Sequence, residues 1–239
     1  MPRKKSNINA DGMINFYELK KVDKFKTKSV NPNFNKHHIT VPFRGMLIGS
    51  SGSGKTNLLL NIINQFSNTF NHIYIYTQAI EPLYEYLESQ LGSDMLTIKY
   101  DLQALRTFKE ADYYGQSLII FDDCCNEKDQ KCINELYIRG RKIAGGCSLL
   151  YLTQSYYKVP KIIRLQCQYV FILKVAGIRD LKMILSEYSL SATKEQLTKM
   201  YEHCCNSGTF GNFMLIDLQS SQDKTYRKNF KEYLSLNDF

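Results

Sequence analysis

The stretch Gly45-Met46-Leu47-Ile48-Gly49-Ser50-Ser51-Gly52-Ser53-Gly54-Lys55-Thr56-Asn57-Leu58-Leu59-Leu60-Asn61-Ile62-Ile63 decides how this chain is read. Residues 49–56 fill every fixed position of the pattern G-x-x-x-x-G-K-[ST]. The apolar run before them predicts a strand, and the run after them opens a helix. Each part answers a chemical demand. Gly49, Gly52 and Gly54 let backbone N–H groups close around phosphates, with Ser50, Ser51 and Ser53 completing the turn. Lys55 can reach the β- and γ-phosphates, Thr56 can offer its hydroxyl to Mg²⁺, and the helix points its positive end at the anion. A glycine-serine surface turn would not need a strand before it and a helix after it. The stretch therefore implies a nucleoside triphosphate site with Mg²⁺ as its metal.

Outward from this loop, strand and helix patterns alternate. His72–Tyr76, Leu96–Ile98, Ser117–Phe121, Ser148–Thr153 and Tyr169–Leu173 read as strands. Helices are expected at Glu81–Leu91, Leu102–Phe108, Asp129–Arg141, Ile178–Glu187 and Thr193–Cys205. Phe213–Leu218 and Lys224–Phe230 read as a terminal hairpin. Continuously apolar strands such as Ser117–Phe121 suit a parallel sheet covered on both faces. The expected fold is α/β, a three-layer sandwich around a mainly parallel sheet, with ligands at the carboxyl ends of its strands.

Phosphate binding alone does not make a hydrolase. The second chemical element is Leu118-Ile119-Ile120-Phe121-Asp122-Asp123, an apolar strand ending in two carboxylates. Asp122, emerging near the phosphate loop, is suited to hold Mg²⁺, and Asp123 to orient or deprotonate an attacking water. The bland alternative is an acidic turn capping the next helix. Gln154 ends the following core strand, where an amide can touch the γ-phosphate or the water; an uncharged strand-end residue is the bland reading. Between these strands, Tyr137-Ile138-Arg139-Gly140-Arg141-Lys142 places cations at a helix end, which favourable helix-end electrostatics would also explain. An arginine here could instead reach a neighbouring subunit's γ-phosphate. Spacing does not choose between Arg139 and Arg141, and Arg164 is a third candidate for nucleotide or DNA contact.

Composition narrows the class. The 239 residues, 44% hydrophobic, suffice for one sizeable α/β domain, expected over residues 39–239. Residues 1–38 read as a basic, polar arm. Of the net charge of +8, residues 1–40 carry +6, from nine Lys/Arg against three acids. Such a segment can meet phosphate backbones, act as a localisation signal or keep a flexible arm in solution. No apolar run approaches a membrane span, and the first residues lack the apolar stretch of a secretory signal, so an intracellular site is expected. The seven cysteines form no C-x-x-C pair; packed thiols are the expectation over a zinc site from Cys124, Cys125, Cys132 and a histidine. The 17 tyrosines, with no tryptophan, are expected between the layers.

GSSGSGKT, then LIIFDD, then GRK…CSLLYLTQSYYKVPKIIR resembles the DNA-packaging ATPases of the FtsK–HerA superfamily. The resemblance covers roughly residues 40–175 and is greatest to the poxvirus-type packaging ATPases of large DNA viruses and their virophages. It implies phosphate and Mg²⁺ roles for Lys55 and Thr56, the strand-end acid pair at Asp122 and Asp123, and the family's glutamine at Gln154. Arg141 falls where the family tends to have an arginine, often followed by histidine; here Lys142 follows. The implied activity is ATP-driven translocation of double-stranded DNA into a preformed capsid, by a homo-oligomeric ring, usually hexameric. A capsid or packaging-vertex protein is the implied partner and the host cytoplasm the implied site. A helicase or conjugation-type translocase of the same superfamily is the alternative, followed by a small kinase, which would need an arginine-rich lid.

Overall fold

The computed structural model describes residues 14–23, 28–101, 113, 115–126, 130–143, 146–206 and 208–239. The helix expected at Leu102–Phe108 lies outside them. The strands are β1 (Arg44–Ile48), β2 (His72–Thr77), β3 (Leu96–Lys99), β4 (Ser117–Asp122), β5 (Ser148–Thr153), β6 (Tyr169–Ile172), β7 (Met214–Asp217), β8 (Tyr226–Lys228) and β9 (Glu232–Tyr233). The helices are α1 (Phe34–His37), α2 (Lys55–Gln65), α3 (Pro82–Leu91), α4 (Lys131–Arg139), α5 (Lys161–Gln166), α6 (Ile178–Glu187) and α7 (Lys194–Cys205).

The nine strands among the described residues form one sheet in the order β3-β2-β4-β5-β1-β6-β7-β8-β9. The first six are parallel and the last three antiparallel. Alternation along each strand sends side chains to opposite faces and so builds two cores. Leu47, Ile75, Ile120 and Leu152 meet Leu59, Ile62 and Tyr84 of α2 and α3 on one face. On the other, Met46, Ile119, Phe121 and Tyr151 meet Ile133 and Tyr137 of α4, Ile163 of α5, Ile184 of α6 and Met200 of α7. The three-layer α/β fold is thus the expected one.

Many of the tyrosines lie between the layers, with Tyr84, Tyr137, Tyr151, Tyr156, Tyr169 and Tyr226 fully buried or nearly so, whereas Tyr86, Tyr100, Tyr157 and Tyr233 are exposed. Each buried hydroxyl still needs a partner, as when Tyr137 donates to the Gly45 carbonyl at 2.8 Å. Cys124, Cys147, Cys167 and Cys204 are buried thiols. Helix α7 begins with a capping box, Thr193 accepting from the Gln196 amide at 3.1 Å. The short α5 was not anticipated, because six residues after a proline are too few for a periodic pattern. Residues near the end of the expected arm lie on the core: His37 is buried against Phe66, and Arg227 donates to the His37 carbonyl at 3.0 Å. Burial pushes the His37 imidazole down to about 4. No helix among the described residues is long and apolar enough to cross a membrane.

Candidate nucleotide site

Sheet order assembles the site. Strand β1, which leads into the phosphate loop, lies between β5 and β6, and β4 lies beyond β5. Residues 49–56, Asp122–Asp123 and Gln154 therefore all leave the sheet at its carboxyl edge. The loop is tied to the strand ends on both sides of β1: Gly49 donates to the Thr153 carbonyl at 3.1 Å, and Ser50 to the Lys174 carbonyl at 3.0 Å. The Ala176 amide donates to Ser50 Oγ at 2.6 Å.

The glycines are sterically required where the backbone is crowded or left-handed. A Cβ on Gly49 would fall 2.4 Å from Ser53 Oγ and 2.9 Å from Leu173 Cβ. Gly54 has φ +91°, a region that L side chains rarely enter. Lys55 donates to the Ser50 carbonyl at 3.3 Å, which folds the ammonium back over the loop. Ser53 Oγ is buried with no hydrogen-bond partner. A buried orphan hydroxyl is costly to leave unsatisfied and suits a loop built to meet an anion. Thr56 stands in the first turn of α2, half-buried.

The two acids have different surroundings. Asp122 is 4% exposed and accepts a hydrogen bond from the Tyr84 hydroxyl at 2.6 Å. Burial pushes its carboxyl up to about 6; the Tyr84 hydrogen bond and Lys55 pull the other way, while Asp123 and Glu81 add to the rise. A buried carboxylate among other acids is the environment a divalent cation would relieve. With Thr56 and the loop glycines, the donor set fits Mg²⁺ and a nucleoside triphosphate. Asp123 follows in left-handed backbone at φ +52° and accepts from Gln154 Nε2 at 2.8 Å. A non-glycine residue in that region is uncommon and costs of order 1 kcal/mol or more.

Tyr84 and Glu81 were not anticipated here. Helical spacing marks Tyr84 only as a core residue; its hydroxyl reaches Asp122 because α3 packs beneath β2 and β4. The arginines are elsewhere. Arg139 ends α4 and is exposed, and Arg141 lies in the following 3₁₀ turn, Gly140–Lys142. That turn meets the amino end of β5, where Cys147 donates to the Gly140 carbonyl at 2.8 Å. It is thus at the opposite edge of the sheet from the phosphate loop. Arg164 is turned inward: its guanidinium pairs with Glu187 and lies 4.9 Å over the Tyr156 ring. The third candidate is thus paired within the fold, since a charge this buried needs a partner.

A profile described as "Poxvirus A32 protein" matches residues 31–220. The chain belongs to the poxvirus A32 protein family. The DNA packaging protein OPG160 of variola virus is 29% identical over 136 residues, covering 51% of this chain and 49% of the variola protein. The monkeypox virus protein of that name aligns at the same identity over 44% of its length. The chain spans about half the length of the curated relatives it matches. Among solved structures, the genome packaging NTPase B204 of Sulfolobus turreted icosahedral virus 2, in complex with AMPPCP, superposes with a TM-score of 0.59 at 17% identity. That superposition covers 80% of this chain and 98% of B204. EssC ATPases 2 and 3 of Geobacillus thermodenitrificans give 0.52 at 10% identity, over 83% of this chain and 40% of theirs. These likenesses establish the P-loop NTPase fold of the A32-family chain.

Proposed function

We propose that this A32-family protein is an ATP-hydrolysing motor that moves double-stranded viral DNA into preformed capsids. The observation that carries the reading is the convergence of Lys55, buried Asp122 and the Asp123–Gln154 pair at one edge of the sheet. The loop amides and Lys55 bind and orient the phosphates, Ser53 Oγ gaining the partner it lacks. Thr56 and Asp122 would hold Mg²⁺, which would neutralise charge developing on the transferred phosphoryl group. Asp123 takes the proton of the attacking water. Gln154, by donating to Asp123 Oδ2, holds that carboxylate in its strained backbone position and leaves Oδ1 for the water.

The arginine positions support a ring. Arg139 and the turn that carries Arg141 stand at the amino edge of the sheet, separated from their own phosphate loop by strands five or six residues long. Such strands span roughly 17–20 Å, beyond an arginine's reach. A finger from either would act on a neighbouring subunit, in a homo-oligomer for which a hexamer is favoured. DNA would pass through its channel, with a capsid or packaging-vertex protein as partner, in the host cytoplasm. Phosphate release from ATP, with and without linear duplex DNA, tests the reading. Stimulation by DNA that Lys55→Ala abolishes is expected. Turnover indifferent to DNA, with capsids present, would overturn it.

A further inference from the structure

The second side of the phosphate loop carries a feature the proposed hydrolysis does not use. Phe210 is the most exposed aromatic side chain among the described residues, at 72%. Its ring rests on the loop itself, with Cζ 3.0 Å from where a Cβ on Gly54 would stand. The next residue, Gly211 at φ +85°, comes within 3.8 Å of the Asn57 amide nitrogen in the first turn of α2, measured from its own built Cβ. Beside the ring a cavity of about 530 Å³ opens, lined by Gly52, Ser53, Lys174, Cys205, Thr209 and Phe210 among others. A ring held against the phosphate loop and left this open offers a surface on which a planar partner would gain by stacking.

Direction decides what that partner is. The γ-phosphate must face the tips of β4 and β5, where Asp122, Asp123 and Gln154 are gathered. The nucleoside then leaves the loop toward the other neighbour of β1, the β6 and β7 side. The segment before β7, which includes Phe210, lies there. We propose that Phe210 is the stacking platform for the nucleobase, and that the adjoining cavity receives the nucleoside end of a nucleoside triphosphate. This rests on the nucleotide reading above and adds how the base is held. A phenyl face recognises the π-surface of a base rather than its hydrogen-bonding edge. Gly54 completes the platform, since a side chain there would displace the ring.

The test uses the full chain. It contains no tryptophan, so Phe210→Trp installs a lone indole as a reporter. ATP is expected to quench that indole, and inorganic tripolyphosphate is expected to bind without doing so. Phe210→Ala, at an exposed site where folding is not at stake, is expected to weaken ATP binding roughly 5- to 150-fold. Its tripolyphosphate affinity should stay at the wild-type value. Unchanged ATP affinity in Phe210→Ala, or equal quenching by both ligands, would overturn the assignment while leaving the phosphate site intact. Wild-type protein that binds neither ligand would overturn the nucleotide reading and this inference with it.

Discussion

The two edges of the parallel sheet are built on opposite terms. At the amino edge, buried polar groups knit neighbouring elements together. Arg44, at the start of β1, donates to the Tyr137 carbonyl at 2.9 Å and to Gln166 Oε1 at 2.7 Å, and its amide to Gln168 Oε1 at 3.1 Å. At the carboxyl edge the chain holds unfavourable features close together. Asp122 is buried with its carboxyl raised, Asp123 stands at φ +52°, Ser53 Oγ is orphaned and Phe210 is bare. Groups that a ligand is to satisfy must be incompletely satisfied without it, and a fold can tolerate that only where another region holds it together.

The contrast can be broken in order of effect. The largest is expected from the amino edge acting across a subunit boundary: Arg141→Ala should lower turnover of the assembled ring by about 10³–10⁵-fold with nucleotide binding intact. Mixing it with Lys55→Ala subunits should restore part of the activity, because some neighbours then pair an intact arginine with an intact loop. No recovery across a range of mixing ratios would place the amino edge outside catalysis. Next is Asp123→Asn, expected to retain nucleotide affinity and lose about 10²–10⁴ in turnover, read as single-turnover phosphate release. Normal hydrolysis by this variant would remove Asp123 from the base role.

Asp122→Asn should separate function from stability. A carboxyl raised from 3.8 to about 6 keeps its proton in the folded state while the unfolded state has lost it. Its contribution to stability is therefore greatest below pH 4, falls as pH rises toward 6, and stays lost at neutral pH. Asn in its place should stabilise the nucleotide-free protein at pH 7 by on the order of 3 kcal/mol, the gain shrinking as pH falls from 6 to 4. Magnesium-dependent turnover should be lost at the same time. Thermal melts across that pH range would settle the point, and a destabilised variant at pH 7 would contradict it. The smallest effect is expected from Arg44→Met, which removes two buried side-chain hydrogen bonds at the amino edge. A cost of about 1–3 kcal/mol, seen as a lower melting temperature, should accompany unchanged turnover per folded molecule.

Most of the sheet is readable in the linear pattern, because strands buried on both faces are nearly continuous apolar runs. Ser117–Asp122, Ser148–Thr153 and Tyr169–Ile172 were each visible to within a residue. Helix α6 was visible at its full extent, Ile178–Glu187. What escaped was short: α1, α5 and β9, of four, six and two residues, carry too few positions for a period to register. The antiparallel end of the sheet was visible as a hairpin, but its burial of Arg227 against Asp217 was not. That ion pair joins residues ten apart through a register set by the sheet.

For the site, sequence by itself determined the phosphate loop and which side chains stand at strand ends, since local geometry dictates that glycines, a lysine and a threonine at that spacing form one structure. It also determined membership of the A32 family, whose profile spans residues 31–220. Only the tertiary structure decided that Tyr84 donates to Asp122, that Gln154 holds Asp123, that Arg164 is spent on Glu187, and that Phe210 lies on Gly54. Each of those contacts joins residues 23 to 156 positions apart in the chain. The physical reason is one of range: backbone turns and apolar periods are written within a few residues, whereas hydrogen bonds and ring contacts depend on strand order and helix packing, which local patterns do not encode.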